Sequence, residues 1–210
     1  MSIFDKNSVI ETISKNNNPI LELGCGNHKQ IKDSIGIDIL DYEAVDIVGD
    51  VYSILEKIPD HSISAIYSSH FFEHVPDVPL LLDEISRVLI PGGLLEIIVP
   101  HFSNPYFYSD YTHKVFYGLY SFSYLANDLI FTRKTPTYQK NIKLQIENVK
   151  LGFKSSSKFL FRYGFKKIIL ENLFNSSIWM KEFYEENLCY IFPCYEIIFV
   201  LRSPVEDLKI

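Results

Sequence analysis

Short apolar runs that end at glycine, proline or an acidic residue recur along the N-terminal half of the chain. Five of them have the length and composition of buried strands: residues 20–23, 34–39, 45–48, 63–69 and 94–99. Apolar residues from Pro79 to Leu89 repeat at helical spacing before Pro91-Gly92-Gly93, which predicts a helix with a sharp stop. Residues 2–15 predict a short amphipathic helix. Strands that alternate with helices or short crossovers are typical of a largely parallel sheet.

After the fifth predicted strand the pattern changes. Residues 101–141 are aromatic and polar with weak periodicity, whereas residues 142–153 and 195–201 have the pattern of two late strands. Residues 156–188, between those strands, predict at least one helix and a turn. Because the chain shows no repeat and no second core pattern, we predict one domain over 1–210, with 101–141 as an inserted lid or cap.

The connections between the first three predicted strands are short. Only eight residues separate Gly26 from Ile35, and only six separate Asp38 from Val45. A crossover that contains a helix needs at least about ten to twelve residues. We therefore expect the crossover helices of this half to be shortened or missing.

Composition excludes several classes of protein. The 210 residues carry 20 Lys+Arg against 26 Asp+Glu, which argues against nucleic acid as a partner. Three cysteines (Cys25, Cys189 and Cys194) form no disulfide framework and no paired metal spacing, and we expect the last two to be buried thiols. The N-terminus has no secretory pattern and no run approaches the ~20 apolar residues of a membrane helix, so a soluble cytoplasmic protein is expected.

Aromatic residues make up 15% of the chain and concentrate after the fifth predicted strand. Ten of them lie between residues 102 and 124: Phe102, Tyr106, Phe107, Tyr108, Tyr111, Phe116, Tyr117, Tyr120, Phe122 and Tyr124. Such rings suit the wall of a lid over a sugar or another flat acceptor. The alternative is that they form the lid's own small core or a contact in a homodimer.

A glycine turn between two acids follows the first predicted strand. Gly24 and Gly26 let the backbone approach a ligand, and Asp38, at the end of the next strand, is placed to accept hydrogen bonds from ribose hydroxyls. Together with Glu22, this layout is typical of a site for an adenosine-containing ligand. Lys29 holds the place of the third glycine of Gly-x-Gly-x-x-Gly, which counts against a nicotinamide dinucleotide.

Five segments together resemble the class I methyltransferases that use S-adenosylmethionine. They are Leu21-Glu22-Leu23-Gly24-Cys25-Gly26-Asn27, Gly36-Ile37-Asp38, Val48-Gly49-Asp50-Val51, the segment 63–75 (ISAIYSSHFFEHV) and Glu84-Ile85-Ser86-Arg87-Val88-Leu89-Ile90-Pro91-Gly92-Gly93. The resemblance covers roughly residues 18–100, and jointly these motifs are highly specific.

The resemblance implies a Rossmann-like fold: a mostly parallel sheet of seven strands, helices on both faces and an aromatic lid after the fifth strand. It implies S-adenosylmethionine as cofactor and S-adenosylhomocysteine as product. The amides near Gly24 and Gly26 would face the methionyl part, and Asp38 the ribose. Asp50 would face the adenine amino group, with Asp46 as its alternative because the crossovers are short. The expected cofactor residues are Glu22, Gly24, Cys25, Gly26, Asp38, Ile39, Asp50, Val51, Ser69 and His70.

Methyl transfer to a hydroxyl requires an aligned acceptor, exclusion of water and removal of a proton. Histidine is the side chain best suited to accept that proton near neutral pH. Four candidates follow the fourth and fifth predicted strands, where open sheets of this kind bind ligands: His70, His101, Asp110 and His113.

The segment from Ser109 to Phe116 resembles a subfamily in which an Asp-x-Thr-His element follows the fifth strand. The resemblance implies that this loop closes over the acceptor. We expect His113 to be the general base and Asp110 to orient it. His101 is an alternative base, and a purely structural role for all the candidates is the remaining alternative.

Two motifs point elsewhere and are set aside. His70-Phe71-Phe72-Glu73-His74 fits the H-x-x-E-H signature of inverted zinc proteases. It directly follows a strand, however, and the methyltransferase resemblance already accounts for it, so His74 is expected to be a buried, hydrogen-bonded residue. Asn104-Pro105-Tyr106-Phe107 is similar to the N-P-P-Y loop of nucleic-acid amino methyltransferases, but it has one proline and follows the wrong strand.

The spacing of Asp110 and His113, together with His101, is compatible with a divalent metal but is common by chance, and we assign no metal. The function predicted is methyl transfer from S-adenosylmethionine to a small molecule, at an oxygen of a sugar or surface-glycan-type precursor. The alternatives are an oxidoreductase that uses a nicotinamide dinucleotide and a non-catalytic binding partner that keeps the fold.

Overall fold

The structure is a computed structural model that describes residues 3–15, 19–136, 138, 141–155 and 160–205. Parts of the predicted N-terminal helix, of the predicted lid and of the helical region 156–188 therefore lie outside the described residues. No helix within the described ranges is long and apolar enough to cross a membrane.

One sheet of nine strands organises the described chain. The strands are β1 (Phe4–Asp5), β2 (Ile20–Leu23), β3 (Ile35–Asp38), β4 (Ile47–Val48), β5 (Ile63–Ser69), β6 (Leu89–Pro100), β7 (Asn127–Asp128), β8 (Gln145–Gly152) and β9 (Glu196–Arg202). Their spatial order is β1-β4-β3-β2-β5-β6-β9-β8-β7. The predicted count of seven strands is wrong because two-residue strands, β1 and β7, extend the two edges of the sheet.

The helices are short except for two. They are α1 (Val9–Thr12), α2 (Val51–Leu55), α3 (Val78–Val88), α4 (Leu160–Gly164), α5 (Glu171–Phe174) and α6 (Ile178–Asn187). A π-helical stretch, Phe165–Leu170, joins α4 to α5, and four 3₁₀ turns cover Ile13–Lys15, Phe72–His74, Phe107–Ser109 and Ser121–Tyr124. The fold is Rossmann-like with helices on both faces, as predicted, and the sheet is mixed.

The strand directions place the predicted site at one edge of the sheet. Strands β4, β3, β2, β5 and β6 run parallel to one another, and β9 lies antiparallel between β6 and β8. The carboxyl ends of the five parallel strands therefore meet on the same side, where open sheets of this kind bind ligands.

Helix α3 follows the sequence prediction closely. The carboxylate of Asp77 accepts the Leu80 amide at 3.0 Å and so caps the helix at its first turn. The side chains of Leu81, Ile85 and Val88 are fully buried on one face. The helix ends at Val88 because the chain turns directly into β6, and Pro91-Gly92-Gly93, predicted to stop the helix, lies within that strand.

Two boundaries differ from the prediction. Residues 2–15 do not form one helix, because Phe4–Asp5 pairs with β4 and the helix covers only Val9–Thr12. Strand β6 begins at Leu89 rather than at Leu94, since Leu89 already pairs with Ile63 before a shift in register.

The ten aromatic residues between positions 102 and 124 fall into three groups: Phe107, Tyr117 and Phe122 are buried, Phe102, Tyr120 and Tyr124 are half-buried, and four are exposed. Tyr117 and Phe122 are buried and stack with ring centroids 5.6 Å apart, and Phe122 also meets Phe72 and Phe199 of the main core. Four rings remain exposed: Tyr106, Tyr108, Tyr111 and Phe116. The lid segment is thus anchored by its own buried rings and presents these four outward.

The crossovers from β2 to β3 and from β3 to β4 contain no helix in residues 24–34 and 39–46, as predicted. Backbone amides that would otherwise donate within a helix need other acceptors. Buried Glu22 accepts the amides of Gln30 and Ile31 at 2.8 and 3.1 Å. Asp46 accepts the amide of Gly36 at 2.7 Å and the ammonium of Lys29. Carboxylates therefore replace helical hydrogen bonds in this half of the sheet.

Replacing Glu22 by alanine leaves the amides of Gln30 and Ile31 without acceptors, so the free energy of unfolding should fall by about 1–3 kcal/mol. Urea denaturation followed by circular dichroism measures the change. The matched control is Glu43→Ala, at an exposed position of the next crossover, which should alter stability by less than about 0.5 kcal/mol. Equal effects of the two substitutions would contradict this account of the crossover.

Candidate active site

The glycine turn after β2 requires glycine for two different reasons. Both Gly24 (φ 69°) and Gly26 (φ 56°) adopt the left-handed conformation. A Cβ atom on Gly24 would lie 2.7 Å from Phe71, whereas a Cβ on Gly26 would have no heavy atom within 4 Å. Gly24 therefore allows the turn to pack on the segment after β5, and the open side of Gly26 leaves room for a ligand.

The amides of the turn do not face open space, contrary to what the resemblance implied. Those of Gly24 and Cys25 both approach the carbonyl of Ile37, at 2.8 and 3.4 Å, and that of Gly26 donates to Asp38 at 2.9 Å. These bonds fasten the turn to β3. A ligand at this turn would contact its Cα surface and carbonyls rather than these three N–H groups.

Asp38 remains able to accept further hydrogen bonds. Its two oxygens accept the amides of Gly26 and Leu40, each at 2.9 Å, and a carboxylate has about four acceptor positions. The side chain is half-buried at the carboxyl end of β3, next to exposed Ile39. This arrangement suits a pair of ribose hydroxyls.

The other acids near the turn have different surroundings. Asp50 caps α2 by accepting the Ser53 amide through Oδ1, and no described residue donates to its Oδ2. Asp46 and Glu22 are engaged with the crossover backbone. Asp50, followed by buried Val51, therefore keeps one carboxylate oxygen available to a ligand, whereas the side chain of Asp46 is engaged with Gly36 and Lys29.

Cys25 is a buried residue of the same turn. Burial, together with the nearby Asp38, raises the pKa of its thiol to about 11, so the side chain stays neutral. A Cβ on Gly36 would lie 2.6 Å from the sulfur. Cys25 therefore fills the contact between the turn and β3.

His70 lies directly after Ser69, the last residue of β5, and has a left-handed backbone (φ 54°). Its two ring nitrogens face carboxylates: Nδ1 is 3.4 Å from Glu73 Oε1 and Nε2 is 3.6 Å from Glu196 Oε2. The nearby carboxylates of Glu196 and then of Glu73 raise the pKa of His70 to about 9. The imidazole therefore carries a positive charge at neutral pH.

The lid returns onto the segment after β5 through Glu73. The amides of Lys114 and Val115 both donate to its carbonyl, at 2.7 and 3.3 Å. The Glu73 side chain is 1% exposed, and no described residue donates a hydrogen bond to its Oε2 atom. A buried carboxylate oxygen without a partner is costly, and such an atom in a native fold calls for an explanation.

The two motifs singled out in the sequence meet at this point. Thr112 Oγ1 lies 2.9 Å from His74 Nδ1 and donates to Asp110 Oδ1 at 2.6 Å. His113 Nδ1 donates to the carbonyl of Phe107 at 2.9 Å, while its Nε2 lies 3.6 Å from Asp110 Oδ2 and 4.0 Å from Glu73 Oε1. We call the resulting group the junction site; it comprises Glu73, His74, Asp110, Thr112 and His113.

Asp110 is the exposed acid of the junction site. The hydroxyl and the amide of Thr112 both donate to it, and these bonds hold the pKa of Asp110 below its usual range. The carboxylate is therefore ionised at neutral pH and open to solvent.

His101 does not lie in the junction site. It is fully buried, its Nδ1 accepts the Ser103 amide at 3.1 Å and its Nε2 donates to Glu185 at 3.1 Å. Both ring nitrogens are thus engaged with the protein. The structure gives His101 the surroundings of a structural residue that ties the start of the lid to α6.

Sequence reasoning missed three members of this region. Glu73 and His74 were visible in H-x-x-E-H, but the motif was set aside because the same segment fitted the methyltransferase pattern. Glu196, at the start of β9, accepts from Lys154 at 2.7 Å and faces His70. No local pattern marks it, because its partners are distant in sequence.

The chain is similar to known proteins in a family model and in solved structures, but not to any curated protein. Residues 21–97 match the family described as "Methyltransferase domain". Comparison with curated proteins gives no match.

Among solved structures, the chain is similar to a SAM-dependent methyltransferase from Archaeoglobus fulgidus, with a TM-score of 0.57 and 20% identity, over 92% of this chain and 89% of that one. It is also similar to phosphoethanolamine N-methyltransferase 2 from Haemonchus contortus in complex with S-adenosyl-L-methionine, with a TM-score of 0.50 and 14% identity. That match covers 97% of this chain and 53% of the other.

The packing of the glycine turn on Phe71 can be tested by substitution. Gly24→Ala and Gly92→Ala both place a side chain in the left-handed region, and each should lower the free energy of unfolding by about 1–2 kcal/mol for that reason. A Cβ on Gly92 would make only ordinary contact, 3.6 Å from Val205. Gly24→Ala should therefore destabilise the protein by about 1–3 kcal/mol more than Gly92→Ala in denaturant titrations, because it adds overpacking. Indistinguishable losses would argue against the close approach of Phe71.

Proposed function

We propose that this chain, a methyltransferase that uses S-adenosylmethionine as its cofactor, transfers the methyl group to a hydroxyl oxygen of a small molecule held at the junction site. The observation that carries the proposal is the meeting of the lid motif with the segment after β5. It brings an acid, two imidazoles and a buried carboxylate to the carboxyl ends of the parallel strands. This is the edge of the sheet at which the glycine turn lies.

The cofactor is proposed to lie across the ends of β2, β3 and β4. The open side of Gly26 and the remaining acceptor positions of Asp38 fit the ribose, and Asp50 fits the adenine amino group. The bound cofactor supplies a methyl group on a cationic sulfonium, which suits a region with several acids and no phosphate cradle.

The reaction at the acceptor needs the loss of one proton. The acceptor oxygen forms a bond to the methyl carbon while the carbon–sulfur bond breaks and its electron pair stays on sulfur. The hydroxyl proton passes to the junction site. We assign this step to His113, because the bond from its Nδ1 to Phe107 leaves the lone pair on Nε2, beside Asp110.

His70 and His101 are given other roles. Both nitrogens of His70 face carboxylates, and both nitrogens of His101 are engaged in buried hydrogen bonds. Neither ring offers a lone pair toward open space. We therefore propose His70 as a positioning residue between cofactor and acceptor, and His101 as a support for the lid.

A sugar-type acceptor fits the exposed rings of Tyr108 and Phe116, which pack against buried Phe107, the ring next to His113. Phe107 lies 4.6 Å from both the His113 and the Phe116 ring, measured between centroids, and Tyr108 lies 6.1 Å from Phe116. Flat apolar faces next to proton acceptors suit the apolar faces and hydroxyls of a sugar ring. We propose a sugar of the kind found in surface-glycan precursors.

Cofactor binding can be tested without knowledge of the acceptor. Calorimetry should show binding of S-adenosylhomocysteine and none of NAD. Asp38→Asn should weaken that binding about 10- to 100-fold, since a hydrogen bond to a charged group contributes about 1.5–3 kcal/mol. Asp33→Asn, an exposed position with a left-handed backbone, is the matched control and should bind normally. Binding of NAD in place of S-adenosylhomocysteine would overturn the assignment.

The role of His113 can be tested by turnover with a panel of methyl glycosides. His113→Asn should lower turnover about 10²- to 10⁴-fold, the usual contribution of proton transfer, with unchanged affinity for S-adenosylhomocysteine. His61→Asn, remote from the junction site and exposed, is the control. Near-normal turnover of His113→Asn would remove His113 from the mechanism.

A further inference from the structure

We infer that the junction site binds one divalent transition-metal ion through Glu73, His74 and His113. A carboxylate oxygen of Glu73 and one ring nitrogen from each histidine all lie within 4.8 Å of one another. Donor atoms that share an ion at 2.0–2.2 Å lie about 3–4 Å apart, so small side-chain adjustments are enough to close the site. The inference deepens the proposed function. Binding of the ion does not depend on that function, and only the catalytic role given to the ion rests on it.

The hydrogen bonds of His74 and His113 leave Nε2 of each ring available to bind a metal. His113 Nδ1 donates to the carbonyl of Phe107, which can only accept. The Thr112 hydroxyl donates its hydrogen bond to Asp110, so the hydroxyl oxygen accepts a hydrogen bond from His74 Nδ1. In each ring Nε2 therefore keeps its lone pair. Metal-binding histidines almost always have their second nitrogen fixed in this way by a carbonyl, a carboxylate or another polar group.

The buried carboxylate of Glu73 supplies an independent reason for a cation. Its Oε2 atom is buried and accepts no hydrogen bond from the described residues, and its Oε1 faces His70 at 3.4 Å and His113 at 4.0 Å. A buried charge without full pairing is unfavourable. A bound cation would pair with this buried carboxylate, one oxygen of which the described residues leave without a hydrogen bond.

The local backbone distinguishes this arrangement from a zinc protease. In H-x-x-E-H enzymes both histidines lie on one face of a helix and bind the same ion. Here Phe72–His74 is a single 3₁₀ turn, and the His70 ring points to Glu73 and Glu196 instead. Glu73 takes the place of the first histidine as a ligand, and His113 of the lid supplies the third.

Two imidazole nitrogens and one carboxylate favour Zn²⁺, Fe²⁺, Mn²⁺, Co²⁺ or Ni²⁺ over Mg²⁺ or Ca²⁺, which prefer oxygen ligands. Three protein ligands leave coordination positions for an acceptor hydroxyl. Coordination would lower the pKa of that hydroxyl, and its proton would pass to Asp110, which is open to solvent. Because the ion would occupy the Nε2 lone pair of His113, Asp110 would receive the proton in the metal-bound protein in place of His113, which would promote proton removal only as a ligand.

The test is a titration of the metal-free, untagged protein with Co²⁺, followed by the visible absorption of the bound ion. The wild type should bind one equivalent. Glu73→Gln, His74→Asn and His113→Asn should each lose this binding, and Thr112→Val should weaken it about 10- to 100-fold, because it removes the partner of His74. His61→Asn should bind like the wild type. Circular dichroism and the affinity for S-adenosylhomocysteine verify that each variant is folded.

The outcomes separate the inference from the proposed function. Absence of Co²⁺ uptake, or equal uptake by the wild type and all three ligand variants, would overturn the metal site. Methyl transfer to hydroxyls that continues unchanged in the presence of EDTA would overturn its role while the proposed function stands. Stoichiometric uptake that needs all three ligands would support the metal site even if no acceptor in the panel were methylated.

Discussion

Two backbone hydrogen bonds fasten the lid to the end of the central sheet, and the geometry of the whole site depends on them. The carbonyl of Glu73 accepts the amides of Lys114 and Val115, and this contact brings the preceding lid residues over the segment after β5. The position of His113 then follows, because its ring is fixed to Phe107 of the same lid. The buried rings of Tyr117 and Phe122 hold the remainder of the lid against the core. Without this docking the lid residues of the junction site would not meet Glu73 and His74.

The short connections between strands explain the arrangement of the acids around the glycine turn. Crossovers too short for helices bring β2, β3 and β4 together, and buried carboxylates accept the amides that helices would have satisfied. The acids around the glycine turn therefore serve two purposes. Glu22 and Asp46 hold the backbone, whereas Asp38 and Asp50 keep acceptor positions for a ligand. A cationic cofactor is compatible with both uses of the negative charge.

Much of this arrangement is predictable from sequence where the physics is local. The buried strand before Gly24 and the amphipathic face of α3 follow from apolar periodicity, and the missing helices follow from the number of residues available. The two-residue edge strands β1 and β7 have no such signal. The junction site is not predictable either, because the partner of Glu73 lies some forty positions later and no local pattern joins them. The opposite error occurs at His101. Its position after a strand predicts a catalytic role, but its partners Ser103 and Glu185 show that both ring nitrogens are engaged within the protein.

The central claim is that methyl transfer takes place where the lid motif meets the segment after β5. A crystal structure of the protein with S-adenosylhomocysteine tests it most directly, because the sulfur atom marks the origin of the methyl group. The account predicts that the sulfur faces Glu73 and His113 across a gap that an acceptor oxygen can enter. A sulfur atom directed away from the junction site, toward His101 and α6 or into solvent, would contradict it.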